Sequence, residues 1–276
     1  MSETYRDKVL LQCEGLSVVY GESVILRDVN FEVRDLVRPG HVTGQVIGLL
    51  GPSGRGKTQL FRRIAGLDAP TTGFVRIAVN GELRPVQRGE VGVVAQHYPL
   101  FEHRSVLQNL VIAGRQANLS PSAAKERAME LLERFQLAHR AGFYPAQLSG
   151  GQRQRVAIAQ QLMCSSHVFL MDEPFSGLDP EQVDKVIGLV FEVAGMHELN
   201  TIVVVTHDVT AAVLAADTIW TLGYDRDAEG NPIPGARIQE VIDLEPRGLA
   251  WWQHPTYESP NLAETVRELR VKFKTL

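Results

Sequence analysis

The stretch QVIGLLGPSGRGKTQLFRRIAGL, residues 45–67, decides the fold. QVIGLL is a continuous apolar run, the pattern of a strand buried on both faces of a parallel sheet. KTQLFRRIAGL has helical spacing and stops at Gly66. Between them GPSGRGKT, Gly51 to Thr58, fits G-x-x-x-x-G-K-[ST]. From average composition the bare pattern arises by chance in about one chain in a hundred of this length. A strand before it and an amphipathic helix after it lower that further. The physics is direct. Glycines let the backbone curl so that its N–H groups face phosphates. The helix adds its positive dipole end. Lys57 then reaches the β- and γ-phosphates of a nucleotide, and the Thr58 hydroxyl holds Mg²⁺. The candidate nucleotide-binding residues here are Gly51, Pro52, Ser53, Gly54, Arg55, Gly56, Lys57, Thr58 and the adjoining Gln59.

Reading outward, residues 9–35 alternate as in an antiparallel sheet with one wet face. Residues 70–95 return to short strands, with turns at TTG and NGE. From about 105 to 163 apolar residues recur three and four apart, and Ser120–Pro121 predicts an N-cap with a first-turn proline. HVFLMDEP and TIVVVTHD are buried strands ending in polar residues, with the helical PEQVDKVIGLVFEVAG between them. Strand, helix, strand with chemistry at the strand ends is an α/β signature. After Trp220 the pattern weakens: DRDAEGNPIPGAR reads as a loop or hairpin. PNLAETVRELRVKF reads as a helix packing Leu262, Val266, Leu269 and Phe273 on the core.

Bulk properties narrow the function. The chain has 276 residues, 44% hydrophobic and 22% charged, ordinary for a globular protein. A net charge of −4 gives no global basic field, and no nucleic-acid partner is expected. Cys13 and Cys164 stand in no metal or redox spacing and read as reduced thiols. The N-terminus has no apolar signal core, and the longest apolar runs fall far short of the ~20 residues that cross a bilayer. Work at a membrane then requires a membrane-spanning partner.

Two polar clusters follow buried strands. Asp172 ends VFLMD, the position from which phosphate-loop NTPases anchor Mg²⁺. Glu173 is one residue further and suits a general base that polarises water for attack on the γ-phosphate. His207 ends TIVVVTH and suits a γ-phosphate contact. Gln96, after VGVVA, has an amide that suits Mg²⁺ or a water. Finally, LSGGQRQRVAIAQQL, residues 148–162, places a serine and two glycines at a helix mouth, a second phosphate-binding helix start.

Taken in order, VVYG with Tyr20, GPSGRGKT, the glutamine of VAQHYPLF, LSGGQ, VFLMDEP, SGLD and VTHD resemble the ATP-binding subunit of an ABC transporter over residues 9–225. The resemblance implies a phosphate-loop NTPase core with a mostly parallel sheet, an N-terminal antiparallel β subdomain and an inserted α-helical subdomain. It divides the chain into a core (1–96 and 164–225), a helical unit (97–163) and a C-terminal extension (226–276). It implies ATP and Mg²⁺ as cofactors. Tyr20 would stack on adenine, Gln96 would sense the γ-phosphate and Mg²⁺ and touch the membrane partner, Glu173 would be the base, and His207 would hold the γ-phosphate. Ser149, Gly150, Gly151 and Gln152 would meet the nucleotide of a second subunit packed head to tail, and Ser176–Asp179 would form the loop that meets that subunit. Tyr98, Leu100, Phe101 and His103 are candidates to cradle a short helix of a membrane permease subunit.

The resemblance implies a peripheral protein on the cytoplasmic face of a bacterial inner membrane, driving solute import, with a solute-binding protein as a further partner. The nearest types are importers of taurine, sulfonate, nitrate or polar amino acids. The alternatives are an exporter or lipid-transport motor and a soluble ATPase of the same family. The gap from Thr58 to Leu148 is too short for the coiled coil of the DNA-repair members. Three features depart from the pattern: Gln160–Gln161 where a charge is usual, a long connection at Pro39–Gly44, and a tail too short for the extra β-domain of sugar importers.

Overall fold

The computed structural model describes residues 5–38, 44–79, 81–95, 99–163, 167–274 and 276, with the side chains of residues 5–7 excepted. Two long strands, β1 (Tyr5–Tyr20) and β2 (Ser23–Val37), form an antiparallel hairpin. Bulges interrupt its register and add twist. β4 (Thr72–Val79) and β5 (Glu82–Pro85) extend it to an antiparallel sheet of order β2-β1-β4-β5. The alternating pattern buries Leu11, Cys13, Leu16 and Val18 on one face. Burial pushes the Cys13 thiol up to about 12, so it is an inert apolar filler.

The second sheet has the order β10-β9-β3-β8-β7-β6. Its members are β3 (Gln45–Leu50), β6 (Gly92–Val94), β7 (Val168–Asp172), β8 (Thr201–Thr206), β9 (Thr218–Gly223) and β10 (Arg237–Asp243). All its pairings are parallel except β10 on β9. Every residue of β3, β8 and β9 is buried, which is why each reads as an unbroken apolar run. α1 (Lys57–Ile64) lies on the side of the hairpin sheet, where Leu60, Phe61 and Ile64 share a core with Leu26, Leu49 and Val203.

The opposite face is covered by helices. Between β6 and β7 the chain forms α2 (Val106–Gln116), α3 (Pro121–Arg134) and α4 (Gly150–Leu162). Leu110, Ala128, Leu132 and Val156 from these helices join one continuous core with Phe169 and Ile202 of the sheet. Ser105 and Ser120 cap α2 and α3, the latter at the expected position. α5 (Pro180–Ala194), α6 (Val209–Ala215) and α7 (Leu262–Phe273) complete the layer. The weak pattern after Trp220 resolves into β10, an antiparallel edge strand, followed by α7. Leu262, Val266 and Leu269 of α7 are buried, and Phe273 packs beside them. Among the described residues no helix is long and apolar enough to cross a membrane.

The long connection into β3 is pinned at both flanks. Residues 39–43 lie outside the described set. Arg38, 3% exposed, donates to Asp217 Oδ1 at 2.8 Å and to the Gly44 carbonyl at 3.3 Å. Asp217, 2% exposed, also accepts the Val46 N–H at 2.8 Å. Burial pushes its carboxyl up to about 7, with Arg38 and the Val46 N–H pulling against it. The backbone of Asp217 bonds Val46 and Leu244, so this ion pair ties β2, β3 and the segment after β10 together. Breaking a buried pair from one side strands a charge. Arg38→Met is expected to cost ~3–5 kcal/mol in urea unfolding; a loss under ~1 kcal/mol would refute this role.

Candidate functional site

The site lies at the carboxyl end of the parallel strands, where α/β sheets place ligands. β3 ends at Leu50, and Gly51–Gly56 curl into α1. Gly54 and Gly56 have φ of 80° and 83°, a left-handed geometry that a side chain would strain. A Cβ on Gly56 would also meet Leu26 at 2.9 Å. The glycine spacing therefore has two separate causes, backbone curvature at both positions and close packing on β2 at the second.

A cavity of about 460 Å³ opens above this loop, lined by Tyr20, Ile25, Ser53, Gly54, Gly56, Lys57, Thr58, Gln59, Asp172 and Glu173. Residues predicted from the hairpin, the phosphate loop and the acid strand thus converge on one space. Ile25 of β2 is an addition, an apolar wall that no local motif signals. Lys57 is buried, with Nζ donating to the carbonyls of Gly51 at 2.6 Å and Pro52 at 3.3 Å. It stands 3.8 Å from Glu173 Oε1. Desolvation lowers its pKa, and Glu173 and Asp172 oppose the shift. Asp172 is raised by burial and by the neighbouring Glu173. The carboxylates of Asp172 and Glu173 and the Thr58 hydroxyl all line the cavity, and oxygen donors are what a hard divalent cation takes.

Glu173 sits at φ 47°, a left-handed conformation that costs ~1–2 kcal/mol outside glycine. Its N–H still bonds the Val205 carbonyl at 2.8 Å, so the turn begins immediately beyond the ladder. The turn brings Oε2 to 2.9 Å from His207 Nδ1 and to 3.2 Å from the Thr206 hydroxyl, which donates. Thr206 had no signal in the sequence beyond its place at a strand end. Gln96 and Tyr98 lie outside the described residues.

Arg55 does not line the cavity. Its guanidinium stacks on Tyr224, 4.3 Å from the ring centroid, and its N–H donates to the Pro52 carbonyl at 3.3 Å. Gln161, one of the two unusual glutamines, accepts the Val93 N–H at 3.1 Å and secures the edge strand β6, away from the cavity.

The second phosphate-type helix start is elsewhere. Ser149 caps α4, accepting from the Gln152 N–H at 3.3 Å, while Gln152 Oε1 accepts from Ser149 N at 3.1 Å. None of residues 149–152 lines the cavity. A Cβ on Gly150 or Gly151 would meet nothing within 4 Å. Asp179 caps α5 through the Gln182 N–H at 2.9 Å and also stands outside the cavity. Near α4, Arg153 pairs with Glu102 at 2.8 Å in the exposed loop that carries Phe101 and His103. Fully buried Asn109 holds that loop by donating to the carbonyls of Phe101, Arg104 and Ser105. Leu100 is half-buried against the core.

Comparison with known proteins matches these features. The family profile described as ABC transporter fits residues 38–176. The chain belongs to the ABC transporter family. Over 214 residues it is 41% identical to the sulfate/thiosulfate import ATP-binding protein CysA 2 of Rhizobium meliloti (strain 1021), covering 76% of this chain and 56% of that protein. The chain therefore spans little more than half the length of that relative. It is 35% identical over 229 residues to the glutamate/aspartate import ATP-binding protein GltL of Escherichia coli (strain K12), covering 81% of this chain and 91% of that one. A solved dimeric ATP-binding cassette, in a post-hydrolysis state with ADP and Pi, aligns with TM-score 0.63 and 26% identity. That alignment covers 85% of this chain and 99% of the solved one. The fold is thus that of the ABC transporter ATP-binding domain.

For an ABC ATP-binding domain, the buried ammonium of Lys57 is the test of the loop. A hydrogen bond from a charged group is worth about 1.5–3 kcal/mol. Lys57→Ala should weaken ATP binding roughly ten- to a hundredfold by titration calorimetry. Unchanged affinity would remove Lys57 from the site.

Proposed function

We propose that the chain is the ATP-hydrolysing motor subunit of a membrane importer, and that two copies clamp two ATP molecules between them. The observation that carries this is the split distribution of phosphate-binding groups. The cavity above Gly51–Thr58 holds the loop, a lysine, a hydroxyl, two carboxylates and an aromatic ring. The second helix start, Ser149–Gln152, stands outside it with glycines that nothing in their own chain requires. A head-to-tail partner explains both: its bound γ-phosphate approaches where a side chain on Gly150 or Gly151 would intrude. Ser149 and Gln152 would then exchange their mutual cap for contacts to the partner's nucleotide. Asp179 sits in the loop facing the same partner.

Within one site the chain's residues have distinct tasks. The backbone N–H groups of residues 53–58 and the Lys57 ammonium cradle the phosphates. Ser53 and Gln59 border the triphosphate, and Tyr20 stacks on the base. Thr58 and Asp172 would hold Mg²⁺, with Gln96 assigned to the same ion from sequence. The ion supplies charge neutralisation along the phosphates. Glu173 accepts the proton of a water that attacks the γ-phosphorus, the bond to ADP breaks, and inorganic phosphate leaves. His207, 2.9 Å from that carboxylate, orients it and contacts the γ-phosphoryl. The left-handed strain at Glu173 persists because Thr206, His207 and the Val205 carbonyl over-determine it.

The relatives' names favour import. The cargoes in their names run from sulfate and glutamate to maltodextrin. We assign residues 1–96 with 164–225 to the ATP-binding core, 97–163 to a helical unit, and 226–276 to an extension. Phe101 and His103 are exposed candidates for the permease contact on the helical unit. Partners are thus a second ATP-binding subunit, permease subunits and a solute-binding protein, with the motor on the cytoplasmic face of the inner membrane.

Two outcomes test this. Glu173→Gln should slow turnover by ~10²–10⁴-fold, the range for loss of a general base, while ATP binding persists and dimers accumulate. Normal turnover by a monomer would refute the assignment. In mixed dimers, one Ser149→Arg subunit and one Lys57→Ala subunit should place both lesions in a single site and leave the other active. Complete loss with a properly assembled mixed dimer would contradict sharing across the interface.

A further inference from the structure

Tyr20 is 53% exposed, at the end of β1 just before the turn into β2. Exposed side chains of this kind exchange rotamers freely. This one is held. Its hydroxyl donates to Gln59 Oε1 at 3.0 Å and accepts from Arg63 Nη2 at 2.9 Å. Arg63 is 4% exposed, which is unusual for an arginine on a helix surface. Its Nη1 donates to the Gln59 side chain and, at 3.3 Å, to the Gln59 carbonyl. Asp68, itself held by Arg62 at 2.5 Å, lies 3.6 Å from Arg63 Nη1. The Arg63 guanidinium carbon stands 5.9 Å from the Tyr20 ring centroid.

Gln59 and Arg63 are one helical turn apart on α1, the helix whose first residues are Lys57 and Thr58. One rigid element therefore presents the phosphate-binding residues at its start and grips the tyrosine one turn later. We propose that Arg63 is a positioning residue for nucleotide binding: through Gln59 and the Tyr20 hydroxyl it fixes the aromatic ring at a set distance and angle from the phosphate loop. The buried arginine braces the ring and leaves the cavity side for a purine face. Without the brace, the ring must be ordered at the moment of binding. That ordering costs about two- to tenfold in affinity for one immobilised side chain. This inference rests on the reading of Tyr20 as the base-stacking residue.

The test separates the base from the phosphates. Affinities for ATP and for inorganic tripolyphosphate, both with Mg²⁺, are measured by calorimetry on the intact chain, three single variants and one double variant. Arg63→Met keeps buried volume and removes the donors. Tyr20→Phe keeps the ring and removes only the hydroxyl. Tyr20→Ala removes the ring. Arg63→Met and Tyr20→Phe should each weaken ATP about two- to tenfold and leave tripolyphosphate unchanged. Their combination should be no weaker than either alone, because both cut the same link. Equal loss of ATP and tripolyphosphate in Arg63→Met would mean general damage to α1 and would overturn the proposal. Unchanged ATP affinity in Tyr20→Phe, with a large loss in Tyr20→Ala, would also overturn it while sparing the stacking reading. Unchanged ATP affinity in Tyr20→Ala would remove the stacking reading and the brace with it. Should Arg63→Met fail to fold, Tyr20→Phe carries the test alone.

Discussion

The ammonium of Lys57 is the point on which the site depends. It is buried, bonded to the carbonyls of Gly51 and Pro52, and close to Glu173. A buried cation is tolerated only where oxygen atoms satisfy it. Here those oxygens belong to the loop itself, so the charge holds the loop in its curl. The same charge opposes the repulsion between Asp172 and Glu173. One side chain thereby satisfies the loop's carbonyls and offsets the mutual repulsion of the two carboxylates. The β- and γ-phosphates of ATP are the natural replacement for the carbonyls as its partners.

The carboxyl edge of the sheet brings the chemistry together because β3, β8 and β7 are neighbours in that order. Gly51 follows β3, His207 follows β8 and Glu173 follows β7. Three segments far apart in the chain thus end within one cavity's width. The side proposed to face a partner is different in kind. Ser149 and Asp179 each cap a helix in the single chain. Both side chains are thus held within their own chain, and in the proposed pair Ser149 gives up its cap for the partner's nucleotide.

Much of this was legible in residues 45–67, 168–173 and 201–207, where continuous apolar runs and polar ends mark buried strands with chemistry at one edge. Ser120 as an N-cap was equally plain, because capping is a local interaction. What escaped the sequence is long-range or conformational. The Arg38–Asp217 pair joins residues 179 apart, and no periodicity encodes it. β10 was hidden in a weak pattern because only Ile242 of its residues is buried, so no apolar face alternates along it. The left-handed turn at Glu173 has no composition signal, since glutamate is a poor candidate for that geometry. Arg55 was placed with the phosphates by its motif position, and its stack on Tyr224 is a tertiary fact. Arg63 and Thr206 act on other side chains, which a motif does not record.

The central claim is that a complete pocket needs the cradle of one molecule and the signature helix of another. A structure of the hydrolysis-deficient chain with trapped ATP tests it most directly, through the neighbours of the γ-phosphoryl group. The account predicts that the Ser149 hydroxyl of one subunit lies within hydrogen-bonding distance of the γ-phosphate held by Gly51–Thr58 of the other. A trapped complex in which residues 149–152 face solvent, with ATP bound by a single chain, would contradict it.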